Sequence, residues 1–316
     1  MQCKKTTLWC FFSVLVGFSA CLLSCGFAKV HAEGNGTGLV VSAEVSSEGL
    51  VPDKTVSNEV VSAKATQPAA LSYNPQLERF SRVLSKMSPR FLEEIHISDV
   101  EEFLQDLNDI LREEENFRDD DLSLFYLIDK KHSVGSDYVP KDLIPLKKND
   151  LFAISRNDLS LRPEAYKALE TLSRAALDDG IKLLVSSTYR SYTYQEGLFK
   201  RYVAQDGVEL AERYSARPGT SQHQLGVAVD FGSITDDWGD TKMGKWVYEH
   251  AADYGWSLSF PRNYEDVTGY MWECWHFRYI GKAACVFQKK WFGNIQQFML
   301  EFIDAWKKDS ESDFSA

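Results

Sequence analysis

Hydrophobic and polar positions divide the chain into stretches of different character. Lys4 and Lys5 lead into an apolar run from Leu8 to Ala28, interrupted only by small or weakly polar residues. A basic start followed by an apolar core is the pattern of an export signal, and Val30-His-Ala32 suits cleavage before Glu33. Two other fates stay open. The run reaches the roughly 20 residues that span a bilayer uncleaved, and Phe18-Ser-Ala-Cys21 and Leu22-Leu-Ser-Cys25 both resemble lipidation sites. Each of the three places the body of the protein outside the cytoplasmic membrane, as an exported, periplasmic protein that meets a membrane only through this segment. Residues 33–75 are rich in Gly, Ser, Val, Thr and Glu, with no aromatic before Tyr73, and read as a flexible linker.

From there the period becomes helical. Phe80, Val83, Leu84 and Met87 recur at three- and four-residue steps, as do Val100, Phe103, Leu104 and Leu107, so 76–120 reads as a helical accessory segment with a core-facing stripe. Residues 121–293 form the main domain. Pro163 suits the first turn of a helix with Leu169, Leu172 and Leu177 on its apolar face, and Gly180 stops it. Ile181–Ser187 reads as a strand, and Ser191 caps a second helix that ends near Gly207. Gly226–Phe231 and Trp256–Phe260 read as strands on either side of a helix from Lys242 to Tyr254. Residues 294–316 are a C-terminal amphipathic helix and tail. Short strands mixed with helices, without regular βαβ alternation, predict an α+β fold: a small, mostly antiparallel sheet flanked by helices.

Charge and cysteines narrow the classes. The formal net charge of −11 argues against a nucleic-acid partner. Four of the six cysteines fall in the N-terminal segment, leaving Cys274 and Cys285, which suit either one disulfide or two small buried hydrophobes.

The chemistry sits in Ser221-Gln-His-Gln-Leu-Gly-Val-Ala-Val-Asp230 and Glu273-Cys-Trp-His276. Taken singly, His223 is an ordinary loop histidine, Asp230 a strand-end cap, and Glu273 with His276 a surface ion pair on an aromatic strand. Together in one exported domain, His223, Asp230 and His276 make a three-ligand set suited to one zinc ion with an open fourth position, which marks a catalytic site. Glu273 is placed to activate water. Strand geometry sends both His223/Asp230 and Glu273/His276 to opposite faces, so His223 has to lie in a loop and a bulge or sharp turn is expected near Cys274.

These residues also carry a resemblance. Ser221-x-His-x-x-Gly-x-Ala-x-Asp230 followed by Glu273-x-Trp-His-x-Arg-Tyr-x-Gly281 is similar to the VanY-type D-alanyl-D-alanine carboxypeptidase family of zinc peptidases. Asp137-Tyr-Val-Pro-Lys-Asp142, Ser187-Thr-Tyr-Arg-Ser-Tyr-x-x-Gln195 and Asp266-Val-Thr-Gly-Tyr270 fit the same family in the same order. The resemblance implies a zinc D,D-peptidase-like fold over 121–293, one Zn2+ on His223, Asp230 and His276, and Glu273 as catalytic base. It implies that Arg190 holds the developing oxyanion, and that Gln195 and Ser221 bind the substrate's terminal carboxylate. The implied activity is removal of the terminal D-alanine from peptidoglycan stem peptides; separately, the chain is expected to be a monomer. An L,D-carboxypeptidase acting on tetrapeptide stems and an inactive wall-binding protein are the alternatives. Two positions depart from the family: Cys274 stands where proline is usual, and Leu258-Ser-Phe-Pro261 replaces an Arg-Tyr-Pro run. A thiolate at Cys274 would be able to cap the metal.

Overall fold

The computed structural model describes residues 74–115 and 122–313, all within one compact unit. The N-terminal apolar run, its four cysteines and most of the linker lie outside the described residues. Helix α1 (Pro75–Leu84) has Asn74 as its cap, accepting from Gln76 N, and α2 (Pro89–Glu94) has Ser88, accepting from Phe91 N. In both, proline takes a first-turn position whose missing N–H costs nothing. Helix α3 (Val100–Glu115) follows.

The main domain begins with short elements. Strands β1 (Ile144–Pro145) and β3 (Ser160–Leu161) pair with each other, and β2 (Phe152–Ile154) joins the main sheet. Helix α4 (Pro163–Asp178) leads to β4 (Leu183–Ser187). Helix α5 (Tyr192–Asp206) is capped by Ser191, which accepts from Tyr194 N, and α6 (Val208–Tyr214) follows after Gly207. A single 3₁₀ turn, Gln222–Leu225, precedes β5 (Ala228–Phe231). Helix α7 (Lys242–His250), β6 (Trp256–Leu258), the short α8 (Glu265–Thr268), β7 (His276–Tyr279), α9 (Lys282–Trp291) and α10 (Gln296–Asp313) complete the chain.

The main sheet runs β2-β4-β5-β7-β6, parallel only between β2 and β4 and antiparallel elsewhere. The expected α+β architecture with a small, mostly antiparallel sheet is what forms. Alternation sends Val229, Phe231, Phe277 and Tyr279 to the face covered by α4 and α7, where they join Leu169, Leu172, Val185 and Trp256 in one core. Asp230, His276 and Arg278 point the other way.

A second core lies between α1–α3 and α9–α10. Phe103 is fully buried there, with ring centroids 5.1–6.0 Å from Phe80, Phe287, Trp291, Phe292 and Phe302. Most of these rings meet edge-on or tilted, as aromatic quadrupoles prefer. Arg278 ties the sheet to this side: its buried guanidinium Nη2 donates to Leu124 O (2.8 Å) and Tyr126 O (2.9 Å). Cys274 and Cys285 are free and buried, so the disulfide alternative does not hold. Helix α9 and the short strands β1, β2 and β3 were not anticipated from the sequence. Among the described residues no helix is long and apolar enough to cross a membrane.

Candidate metal centre and active site

Register across three neighbouring strands assembles the site. Ser187 on β4 is the partner of Asp230 on β5, and Asp230 is the partner of His276 on β7, so the three stand side by side at one sheet end. His223 comes from the 3₁₀ turn. Gly226 closes that turn with φ 72°, and a Cβ there would lie 2.9–3.0 Å from Leu143 and Arg162, so only glycine both turns and fits. Glu273 lies just ahead of a turn at Cys274 and Trp275, which lets it face the same way as His276. One ligand atom from each of His223, Asp230 and His276 lies within 4.8 Å of the others, and all three residues are buried.

Hydrogen bonds fix which imidazole nitrogens face inward. His223 Nδ1 lies 2.6 Å from Thr188 O, a pure acceptor, so Nδ1 carries the proton and the Nε2 lone pair faces Asp230 Oδ2 at 3.2 Å. His276 Nε2 faces Gln222 Oε1 at 3.1 Å, which leaves its Nδ1 lone pair 3.0 Å from Asp230 Oδ1. Two lone pairs and a carboxylate therefore converge on one point. Acceptors so arranged repel unless a cation lies between them, and His223 Nε2 is buried with no hydrogen-bond partner in the protein. The arrangement fits a metal ion, with each imidazole oriented through its other nitrogen as metal-bound histidines are.

Electrostatics agree. Burial, then the charge of Arg190, pushes the His223 imidazole down to about 4, so it is neutral and able to coordinate at neutral pH. Burial alone would raise the Asp230 carboxyl, but the Arg190 guanidinium hydrogen-bonded to it holds it well below the usual range. Arg190 Nη2 donates to Asp230 Oδ2 at 2.5 Å and its Nε to Ser187 Oγ at 2.9 Å. Glu273 has the opposite balance: burial, reinforced by Asp230, raises its carboxyl well above the usual value. Its Oε2 lies 3.8 Å from His276 Nδ1.

His223, Asp230, His276, Arg190 and Glu273 line a cavity of about 420 Å³, walled by Tyr202, Tyr214, Ile234, Tyr270, Trp272 and Trp275 among others. Ser221 lines it too, and its Oγ accepts from His223 N at 3.3 Å. Gln195 departs from expectation. It sits on the inner face of α5, only 1 % exposed and outside the cavity lining, with Nε2 donating to Ala216 O at 2.7 Å. Its place is behind the wall formed by Ser215 and Ala216, not in contact with the cavity. Cys274 also faces away from the ligands. Its Sγ lies 3.7 Å from Thr235 O and from Asp236 O, and burial raises its thiol, so no thiolate caps the site.

The sequence reading missed Thr188, Ser187 and Gln222, which orient His223, Arg190 and His276. All three lie inside the quoted motifs, but their action through a backbone carbonyl, a hydroxyl and an amide is a matter of register that spacing alone does not display. Phe260, whose ring lies 4.8 Å from that of His276, was likewise not singled out.

Residues 158–282 match the family described as VanY, D-alanyl-D-alanine carboxypeptidase. The putative carboxypeptidase YodJ of Bacillus subtilis (strain 168) is 36% identical over 168 residues, 51% of this chain and 62% of YodJ, so the match spans less than two thirds of that relative. The bifunctional D-Ala-D-Ala dipeptidase and D-Ala-D-Ala carboxypeptidase VanXYC of Enterococcus gallinarum is 29% identical over 54% of this chain and 91% of its own. Among solved structures, that of the LdcB LD-carboxypeptidase, described as revealing the molecular basis of peptidoglycan recognition, is 32% identical. It superimposes with a TM-score of 0.51, and the match covers 56% of this chain and 85% of LdcB.

Proposed function

The chain belongs to the VanY family of D-alanyl-D-alanine carboxypeptidases, and from that premise we propose that it is a zinc-dependent D,D-carboxypeptidase removing the terminal D-alanine from peptidoglycan stem peptides. One observation carries the reading: two imidazole lone pairs and the Asp230 carboxylate meet within 4.8 Å at the wall of a cavity that also holds Glu273 and Arg190. Two nitrogens and one carboxylate oxygen, with no thiolate, leave a coordination position for water or substrate. Zinc bound there would draw the pKa of a coordinated water toward about 7, and its charge would oppose the burial that raises Glu273.

The protein's own groups have separable tasks. Glu273 takes a proton from the attacking water and returns it to the departing amine, a role suited to a carboxyl tuned upward toward the working pH. Arg190, already braced by Ser187 and Asp230, presents a fixed cation to the carbonyl oxygen as it becomes negative. Ser221 offers its hydroxyl to the substrate's free carboxylate, and Gln195 supports that wall from behind. The apolar side chains around the cavity exclude water and give room for a short peptide. A stem-peptide substrate requires the domain outside the cytoplasmic membrane, where the Lys4–Ala32 pattern would deliver it.

A second reading is favoured by one observation. LdcB, an LD-carboxypeptidase, is 32% identical and matches this chain over 85% of its own length, so an L,D-carboxypeptidase trimming tetrapeptide stems uses the same machinery. Mass spectrometry of defined pentapeptide and tetrapeptide muropeptides, incubated with the purified zinc-loaded protein, decides between them. Loss of one alanine from the pentapeptide alone supports the first reading, loss from the tetrapeptide alone the second, and loss from neither overturns both.

A further inference from the structure

His276 holds its ligating tautomer through a chain of amides whose far end is on helix α10, outside the residues that match the family. Gln296 is the first residue of α10 and is 1 % exposed. Its Nε2 donates to the backbone carbonyl of Ser257 at 3.2 Å. A carbonyl accepts and cannot donate, so this contact sets the direction of the Gln296 amide: turned over, its oxygen would face another oxygen. With Nε2 committed to Ser257, Gln296 Oε1 faces inward and accepts from Gln222 Nε2 at 3.3 Å. Gln222 then presents Oε1 to His276 Nε2 at 3.1 Å. Ser259 Oγ lies 2.8 Å from Gln222 Oε1 and 3.2 Å from Gln296 Oε1 and donates its single proton to one of these oxygens, fitting either amide direction by itself.

Every member of the chain is at least nine-tenths buried, so water does not compete for these groups. In such surroundings an unpaired or reversed amide loses a hydrogen bond that water cannot replace, which keeps the amides pointing one way. The direction propagates. Ser257 O fixes Gln296, Gln296 fixes Gln222, Gln222 makes Nε2 the protonated nitrogen of His276, and Nδ1 is left as the lone pair toward Asp230. His223 needs no such relay, because Thr188 O fixes it directly.

We propose that Gln222 and Gln296 are positioning residues for the metal ligand His276, and that α10 is through them a functional part of the metal centre. This rests on the metal reading above. The other end of α10 packs in the second core with α1–α3, so the helical segment before the main domain supports the site by holding α10 in place.

The test is zinc affinity of the full chain at neutral pH, by competition with a chromophoric chelator. Gln222→Met, apolar and close in volume, should weaken zinc binding by about 10–100-fold, the usual effect of losing a partner that orients a ligand. Gln296→Met should weaken it by a smaller factor and should have no further effect in the Gln222→Met background, because both act along one path. Met299→Ala, buried on the same helix but outside the relay, should lower thermal stability and leave zinc affinity unchanged. If Gln296→Met does not fold, Gln296→Asn is the second variant, since it keeps the amide but draws it away from Gln222. Wild-type affinity in the Gln296 variant, or independent additive losses in the double variant, would overturn the relay. Absence of zinc binding in the wild-type protein would overturn the metal reading and the relay with it.

Discussion

Replacing Glu273 by glutamine should stabilise the metal-free protein while removing its activity, and the two effects should separate with pH. Glu273 is buried beside Asp230, and both burial and that neighbouring carboxylate raise its carboxyl well above the usual value. Its folded pKa therefore exceeds its unfolded one. Between the two values the folded state binds more protons, so stability is present below the unfolded value, about 4.3, and is lost as pH rises through the folded value. At a pH above both, the ionised carboxylate costs about 1.4 kcal/mol of stability for every tenfold difference between its folded and unfolded acidity. Glutamine keeps the shape and never ionises, so it avoids this cost. For a protein of this size each kcal/mol moves Tm by roughly 2–4 °C.

The measurement is thermal unfolding of chelator-treated wild-type and Glu273→Gln protein from pH 4 to 8. The variant should unfold several degrees higher at pH 8, and the gap should close near pH 4, where the wild-type carboxyl is itself neutral. In the zinc-loaded enzyme the same substitution should retain the metal and cost on the order of 10²–10⁴ in rate, the range for a general base. A Tm at pH 8 equal to or below wild type would refute the burial argument. A stabilised variant of near wild-type activity would refute the role of Glu273 as base.

The remaining predictions test the other parts. His276→Ala should lose bound zinc by elemental analysis, and full occupancy would remove His276 from the ligand set. Arg190→Gln should cost on the order of 10²–10³ in kcat; because Arg190 lowers the Glu273 carboxyl, the acid limb of the pH profile should also move to higher pH, and an unmoved limb would count against that coupling. Amidating the substrate's C-terminus should abolish turnover while zinc stays bound, and equal cleavage of amidated and free peptides would point to an endopeptidase. Phe103→Ala should destabilise the protein by about 3–5 kcal/mol, as large buried aromatics do, seen as a lowered midpoint in denaturant; an unchanged midpoint would mean the second core contributes little.

The helices were the legible part of the fold, because their signals are local. Pro163 and Gly180 bracket α4, and Ser191 and Gly207 bracket α5, within a residue or two of the observed ends. Strands β1, β2 and β3 are two or three residues long, too short to show a period, and their place depends on partners far along the chain. Helix α9 escaped because its buried face, Ala284, Cys285, Phe287, Gln288 and Trp291, includes a glutamine and sits among lysines that blur its apolar stripe. In the site, odd spacings between His223 and Asp230 and between Glu273 and His276 announced that the backbone departs from a strand. Whether it did so by a bulge or a turn was not in the spacing. The structure uses a 3₁₀ turn for one and a tight turn for the other.

Gln195 shows the limit of transferring a role by motif position. The residue is where the motif puts it, on α5, but the helix turns it toward Ala216 and away from the cavity. The reverse holds for Ile128, Asp129 and Gln297, which line the cavity yet lie outside residues 158–282. Asp129 is fixed there by Gln297 Nε2, which donates to its Oδ2 at 3.0 Å, and by the backbone N–H groups of Lys131 and His132. The segment before the family match and the first turn of α10 thus form one wall together. The proposed metal ligands, base and oxyanion cation all lie within residues 158–282, whereas this part of the wall lies outside them. On the proposed function, Asp129→Ala is therefore expected to change the relative rates on pentapeptide and tetrapeptide stems more than it changes zinc binding, and an unchanged ratio would count against a role for this wall in that choice.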